Sequence, residues 1–279
     1  MFSSLFSMRG GSYSVAIFFL TTLGLLISAL PVAVVTLMSF SAAETAAFPP
    51  AEFSFRWYEA LWSQLSADES SSAHSLGDAL FTSLLVAAIV MLISTFVCVP
   101  LAYALVRGGG RVRAGMELLF TLPLVFPLVI LGIAFLLIAE SLALDLGIWR
   151  LVIPHVALVL PFVLRNCMSA MNGIDIEIEE AAISLGASWM RAFLDVVVPL
   201  MKPGILAGLI FALIISFNEF TITFFMYTID VSTLPIWMYS RTVSSLDPAV
   251  LSLSVGIILV DVIMILIIDK IIAGRASLF

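Results

Sequence analysis

Six long apolar stretches, separated by shorter polar ones, set the pattern of this chain. They run over residues 13–39, 80–106, 118–139, 148–171, 204–225 and 250–272. Each meets or approaches the ~20 residues that a helix needs to cross a hydrocarbon core. The pattern predicts an all-α integral membrane protein: six transmembrane helices in a single transmembrane domain over residues 1–279. The fourth stretch is the most interrupted, by Pro154, His155, Pro161 and Arg165. Proline is tolerated in a spanning helix where neighbours satisfy the freed carbonyls, so this helix is expected inside the bundle. The first stretch follows Arg9 as a signal peptide core would. It exceeds the ~7–15 apolar residues of such a core and ends in no small-x-small cleavage site, so it reads as a true span.

Composition agrees: 62% of residues are hydrophobic and 11% charged. Soluble domains carry about 45–50% apolar and about 25% charged residues. The net charge of -7 does not describe an acidic solution protein, because the charges lie between the apolar runs. No basic patch or nucleic-acid motif is visible, so nucleic acid is not an expected partner, whereas membrane lipid is. Cys98 and Cys167 sit within apolar runs without CxxC or Cys/His spacing and read as small packing residues.

Orientation follows from the basic residues. With the N-terminus inside, the inner segments hold nine of the twelve: Arg9, Arg107, Arg111, Arg113, Arg165, Arg191, Lys202, Lys270 and Arg275. The outer segments hold Arg56, Arg150 and Arg241. Both termini are therefore expected in the cytoplasm. The long outer segment, about 40–77, repeats Trp57/Tyr58 and Leu61/Trp62 four residues apart, which predicts a short amphipathic helix anchored at headgroup depth rather than a solute-docking element. The serine-rich residues 66–75 read as flexible loop.

Residues 173–199, between spans four and five, are not explained by hydrophobicity. Asp175 is a suitable N-cap, and Glu177, Glu179 and Glu180 crowd the first turns, where the helix dipole favours negative charge. Gly186 stands where a left-handed cap would end a short helix. Ser188 can cap a second helix, which Pro199 is expected to stop before Pro203 and Gly204 open span five. Helix, glycine bend, helix is the expectation.

This segment resembles the EAA loop of permease subunits of ABC importers. The pattern appears as Glu180-Ala181-Ala182, Gly186, then Val196, Val198 and Pro199. Valine replaces the usual Ile and Leu at the two aliphatic positions. Residues 53–58 (FSFRWY), 101–107 (LAYALVR), 122–127 (LPLVFP), 216–220 (SFNEF) and 234–240 (LPIWMYS), with Asp247-Pro248, are similar to the spermidine/putrescine-type branch. Thr82-Ser83 and Pro100 depart from its usual pattern. The resemblance implies that Glu180, Ala181, Ala182, Gly186 and Pro199 couple the chain to ATPase subunits. It implies a bacterial inner-membrane importer of two ATPase subunits, a second permease subunit (a homologous heterodimer partner) and a periplasmic solute-binding protein. The implied solute is a polyamine or related organic cation.

No P-loop exists here: the only lysines are Lys202 and Lys270, and neither follows GxxxxG spacing. The chain is expected to carry no cofactor and no enzymatic activity, with ATP and Mg bound by the partner ATPase subunits. Charged groups in a span cost ~2.5–3.5 kcal/mol at its centre and call for a reason. Glu219, sixteen residues beyond Pro203, falls about 24 Å along a helix and so in the outer half. With Phe217, Asn218 and Phe220 it forms a candidate lining of the solute path, the other reading being a polar contact that holds span five. Asp261 and His155 read as packing, as does the Gly204-x-x-x-Gly208 spacing. An intramembrane protease lacks support, with neither GxSxG nor HExxH in the chain. An ion-coupled secondary transporter using Glu219 and Asp261 is the main alternative; the coupling loop and the lack of inverted repeats weigh against it.

Overall fold

The computed structural model describes residues 11–45, 48–66, 75–142, 146–245 and 247–276. Arg9 and most of the serine-rich segment lie outside these residues. Among the described residues twelve α-helices follow in order: α1 Gly11–Ser39, α2 Arg56–Ser66, α3 Leu76–Gly108, α4 Gly110–Thr121, α5 Leu128–Leu142, α6 Trp149–Asn172, α7 Ile176–Ser184, α8 Trp189–Arg191, α9 Val198–Phe217, α10 Thr223–Met226, α11 Leu234–Ser245 and α12 Ala249–Ala276. The single β-type pairing among the described residues is an isolated bridge between Ser41 and Phe53. Among the described residues five continuous helical stretches are long and apolar enough to cross a membrane: Val15–Ser39, Leu76–Gly108, Trp149–Asn172, Trp189–Phe217 and Ala249–Lys270.

The sixth exists only as a bent pair. Arg113–Leu124 and Leu128–Leu142 meet at 94°, where a straight span over 118–139 was expected. The break falls at Pro123 and Pro127, which remove two backbone donors within five residues, and the chain crosses it as a 3-10 turn at Leu122–Leu124.

The fifth span also departs from expectation. Pro199 does not stop a helix: α8, a π-helical segment Ala192–Val197 and α9 run on without a gap. In the π segment the bonding has already changed register, Val198 N–H donating to the carbonyl of Phe193 five residues back. Pro199 follows directly, and the wider π register before it accommodates the missing N–H without ending the helix. At the other end α9 stops at Phe217 rather than continuing to Phe225. Side chains there compete with the helix ladder, Asn218 Nδ2 donating to the Ile214 carbonyl and Glu219 taking the N–H groups of Ile222 and Thr223.

Two compact units are distinguishable, one of residues 11–66 and 241–258, the other of residues 75–240 and 259–276. In the first, α1 exposes its apolar side chains along most of its length, as a lipid-facing helix does. Its end is organised by polar contacts: Ser39 Oγ lies 2.8 Å from the Tyr58 hydroxyl, and Ser252 Oγ donates to the Ser39 carbonyl at 2.9 Å. The aromatic residues expected at headgroup depth do fall on a helix, α2, whose Leu61 is buried while Trp62 is 74% exposed.

In the second unit α3, α6 and α9 pack against one another pairwise. Close approach depends on small residues: Ala79, Ser83, Ala87, Ser94, Cys98 and Ala102 are buried on α3, and Ala207, Gly208 and Ala212 on α9. A Cβ on Gly204 would stand 2.4 Å from Ala170 Cβ and 2.8 Å from the Asn166 carbonyl, and one on Gly208 would meet Val163 Cγ1 at 3.3 Å. Lipid tails are as apolar as leucine, so tight backbone approach rather than apolar burial holds such helices together. Pro154 and Pro161 of α6 are both buried in this core, as are Cys98 and Cys167.

Candidate functional site

The 173–199 loop is built from short-range rules. Asp175 holds the extended N-cap conformation ahead of α7, although its carboxylate caps no N–H. α7 ends at Ser184, and the chain turns at Gly186, whose φ of +94° lies in the region that only glycine enters without steric cost. Ser188 then caps α8, its Oγ accepting from Arg191 N–H. Glu180, Ala181, Gly186 and Pro199 are exposed and Ala182 is half-buried.

Glu179, the residue before Glu180, is the buried member of the acidic run at 5% exposure. Its carboxylate accepts from the Tyr103 hydroxyl and, at 3.1 Å, from Arg107 Nε, both on the last turns of α3. Arg107 also donates to the Ile174 carbonyl at 3.3 Å, and Trp189 Nε1 donates to the Tyr103 hydroxyl at 2.8 Å. Phe193 packs on Tyr103 with ring centroids 4.9 Å apart. Three elements, α3, α7 and the α8–π segment, thus meet at one ion pair and one aromatic triad. Sequence reading had grouped Glu179 with its acidic neighbours as dipole charges. What separates it from them is contact with residues more than seventy positions earlier, which local spacing does not encode.

While Glu179 points inward, the loop exposes Asp175, Glu177 and Glu180 together with a set of apolar side chains. Ile176, Ile178, Ile183, Leu185, Trp189 and Met190 are all exposed, Leu185 at 90%. The loop is thus a bent helical element seated on α3 with exposed apolar side chains.

At the far end of α9 the four path candidates separate. Phe217 and Phe220 are half-buried, Asn218 is exposed and Glu219 is buried. The Glu219 carboxylate accepts from Ile222 N–H (2.8 Å), Thr223 N–H (2.9 Å) and the Thr223 hydroxyl (2.8 Å), so it holds the turn that starts α10. His155, buried in α6, bridges Ser216 Oγ at 2.9 Å and Thr223 Oγ1 at 2.8 Å. The neutral Nε2–H tautomer satisfies the whole chain: Ser216 donates to Nδ1, Nε2–H donates to Thr223, and Thr223 donates to Glu219. Arg150 fixes the other end of α10 by donating to the Met226 carbonyl at 3.0 Å.

Asn218, one residue away, faces a different partner, its Nδ2 donating to Asp261 Oδ2 at 2.9 Å. Phe220 lies beside Phe224 and Tyr239, with centroids 5.6 Å and 5.2 Å away. The half-buried Asp261 and the exposed Asn218 are thus the accessible polar groups at this end, and Glu219 is not.

Residues 98–275 match the family described as binding-protein-dependent transport system inner membrane component. The chain belongs to that family, the permease subunits of ABC importers. It is 28% identical to the spermidine/putrescine transport system permease protein PotC of Escherichia coli over 77% of this chain and 78% of that protein. It is 25% identical to PotC of Haemophilus influenzae over 76% of this chain and 79% of the relative. With the putrescine transport system permease protein PotI of Escherichia coli it shares 30% identity over 73% of this chain and 72% of the relative. Membership makes it a multi-pass membrane protein of a transport complex containing other permease, ATPase and binding-protein subunits. It leaves the secondary-transporter alternative without support.

Proposed function

We propose that this chain forms half of the translocation pathway of an inner-membrane importer for a polyamine or a related small organic cation. A periplasmic binding protein delivers the solute, and two ATPase subunits, which hold ATP and Mg, drive the cycle. Both termini lie in the cytoplasm, and the second permease subunit is a homologous but different chain. The supporting observation for coupling is the 173–199 loop, seated on α3 by Glu179 and exposing an apolar face around Glu180, Ala181, Ala182 and Gly186. In this reading closure of the ATPase pair on ATP moves the loop. The loop moves α3 through the Glu179–Arg107 pair and α9 through the unbroken helix from Trp189, and the pathway opens outward to receive solute. Hydrolysis returns it to face inward.

Asp261 and Asn218, with Phe220 two residues along the chain and packed on Phe224 and Tyr239, offer what an alkylammonium ion requires, a carboxylate and aromatic faces. Asp261 thereby takes over the solute-attracting role that sequence spacing had offered to Glu219. The test is uptake of labelled putrescine and spermidine by proteoliposomes holding the full complex and its binding protein. ATP-dependent uptake supports the proposal. Uptake that persists without ATP and collapses with an ion gradient overturns it.

A further inference from the structure

The end of the second unit that carries the coupling loop also holds a cavity of about 270 Å³ between α4 and α6. Its lining divides by chemistry. Arg113, Arg165 and Asn172 supply donors, and Phe120, Leu164 and Met168 supply an apolar wall. Glu117, the one acid in the lining, is already paired with Arg113 at 2.7 Å. Arg165 has no carboxylate or carbonyl partner among the described residues, so the cavity retains a net positive charge. Arg165 lies seven residues before the end of α6 at Asn172, or about 10 Å along a helix. That depth is below the headgroups but within reach of a snorkelling guanidinium.

We infer that this cavity binds the phosphate of an inner-leaflet phospholipid, with one acyl chain laid along Phe120, Leu164 and Met168. The unpaired Arg165 guanidinium and the Asn172 amide, beside the Glu117-paired Arg113, suit a phosphodiester, and a basic pocket between helices at the cytoplasmic face is where such headgroups are held. A free anion accounts for the arginines but not for the apolar wall beside them. A lipid there would bear on α4, the inner arm of the bent span, and on the part of α6 that leads directly into the loop. The leaflet assignment rests on the cytoplasmic placement of the loop proposed above; the site itself does not.

The test is native mass spectrometry of the purified complex with added dioleoylphosphatidylglycerol. The Arg165→Gln variant should retain about fivefold less lipid at this site, the loss expected for one interfacial charge. Ser169→Trp, which fills the cavity and keeps both arginines, should give the same loss, and Arg56→Gln, outside the cavity, none. Equal retention in wild type and both cavity variants overturns the inference. So does displacement of the lipid by an equal concentration of inorganic phosphate, which makes the site one for free anions. A cross-link from cysteine at position 165 to the second permease subunit, with lipid retention unchanged, also overturns it by making the cavity a subunit contact. Failure of the importer reading shows separately, as loss of ATP-coupled uptake with lipid counts intact.

Discussion

Arg107 Nε and Glu179 Oε2 are 3.1 Å apart, and both side chains are largely withdrawn from solvent. This pair ties the last turn of α3 to the helix that carries Glu180, Ala181 and Ala182. An ion pair of this kind contributes little net stability as a whole, but losing one partner strands the other and costs about 3 kcal/mol. Glu179→Ala should therefore loosen the loop while leaving the spans intact. Limited proteolysis in inverted vesicles is expected to cut near Gly186 faster than in wild type, with uptake reduced several-fold. The double exchange Arg107→Glu with Glu179→Arg should recover part of the loss. Unchanged cleavage and uptake in Glu179→Ala would remove the strut from the account.

Gly186 tests the bend itself. At φ +94° a β-branched side chain is strained by about 1–2 kcal/mol. Nothing lies within 4 Å of a Cβ placed there, so the penalty is conformational and local. Gly186→Val is expected to assemble normally, hydrolyse ATP and import little. Normal uptake would show that the bend does not transmit motion.

Gly204 and Gly24 make a matched pair for helix packing. A side chain at Gly204 collides with Ala170 and the Asn166 carbonyl, whereas Gly24 has nothing within 4 Å. Gly204→Val should lower the thermal midpoint of the purified complex, reflecting about 1–3 kcal/mol or more of overpacking. Gly24→Val should leave it unchanged. Equal midpoints would mean that α6 and α9 do not meet as described.

The two acids near the Phe217 end of α9 should behave differently. Glu219→Ala leaves two buried N–H groups without their acceptor, a loss of about 1–3 kcal/mol per group, and should impair folding of the complex for any solute. Asp261→Asn keeps an acceptor for Asn218 and removes only the charge. It should leave the thermal midpoint alone and lower uptake of a cationic solute. If Asp261→Asn transports normally while Glu219→Gln keeps the wild-type thermal midpoint and loses cation uptake, the roles assigned to the two acids are reversed.

Much of this was legible in the residues themselves. Apolar run length places the spans, and the Glu-Ala-Ala-to-Gly spacing places the bend, because both depend on neighbours a few positions apart. The break in the third span carried a visible signal in Pro123 and Pro127, but apolar length outweighed it. Continuity through Pro199 was hidden because the residue itself reads as a stop. Only the π segment before it, formed where Phe193 and Val197 are buried, makes its missing N–H harmless. The inward turn of Glu179 was likewise hidden, since Glu177, Glu179 and Glu180 are interchangeable until α3 brings Tyr103 and Arg107 alongside. The same holds at Glu219, where charge alone suggested a solute site and three local donors had already claimed the carboxylate.

In the proposed cycle residues 173–199 press on an ATPase subunit. Leu185 is 90% exposed on that loop, and both native cysteines are buried, so a single cysteine at 185 is a clean probe. With Leu185→Cys and a short bifunctional thiol reagent, the assembled complex should yield a cross-link to the ATPase subunit whose amount changes on adding ATP. A cysteine that reacts with membrane-impermeant reagent from outside intact cells, or that cross-links to no other polypeptide with and without ATP, would contradict the account.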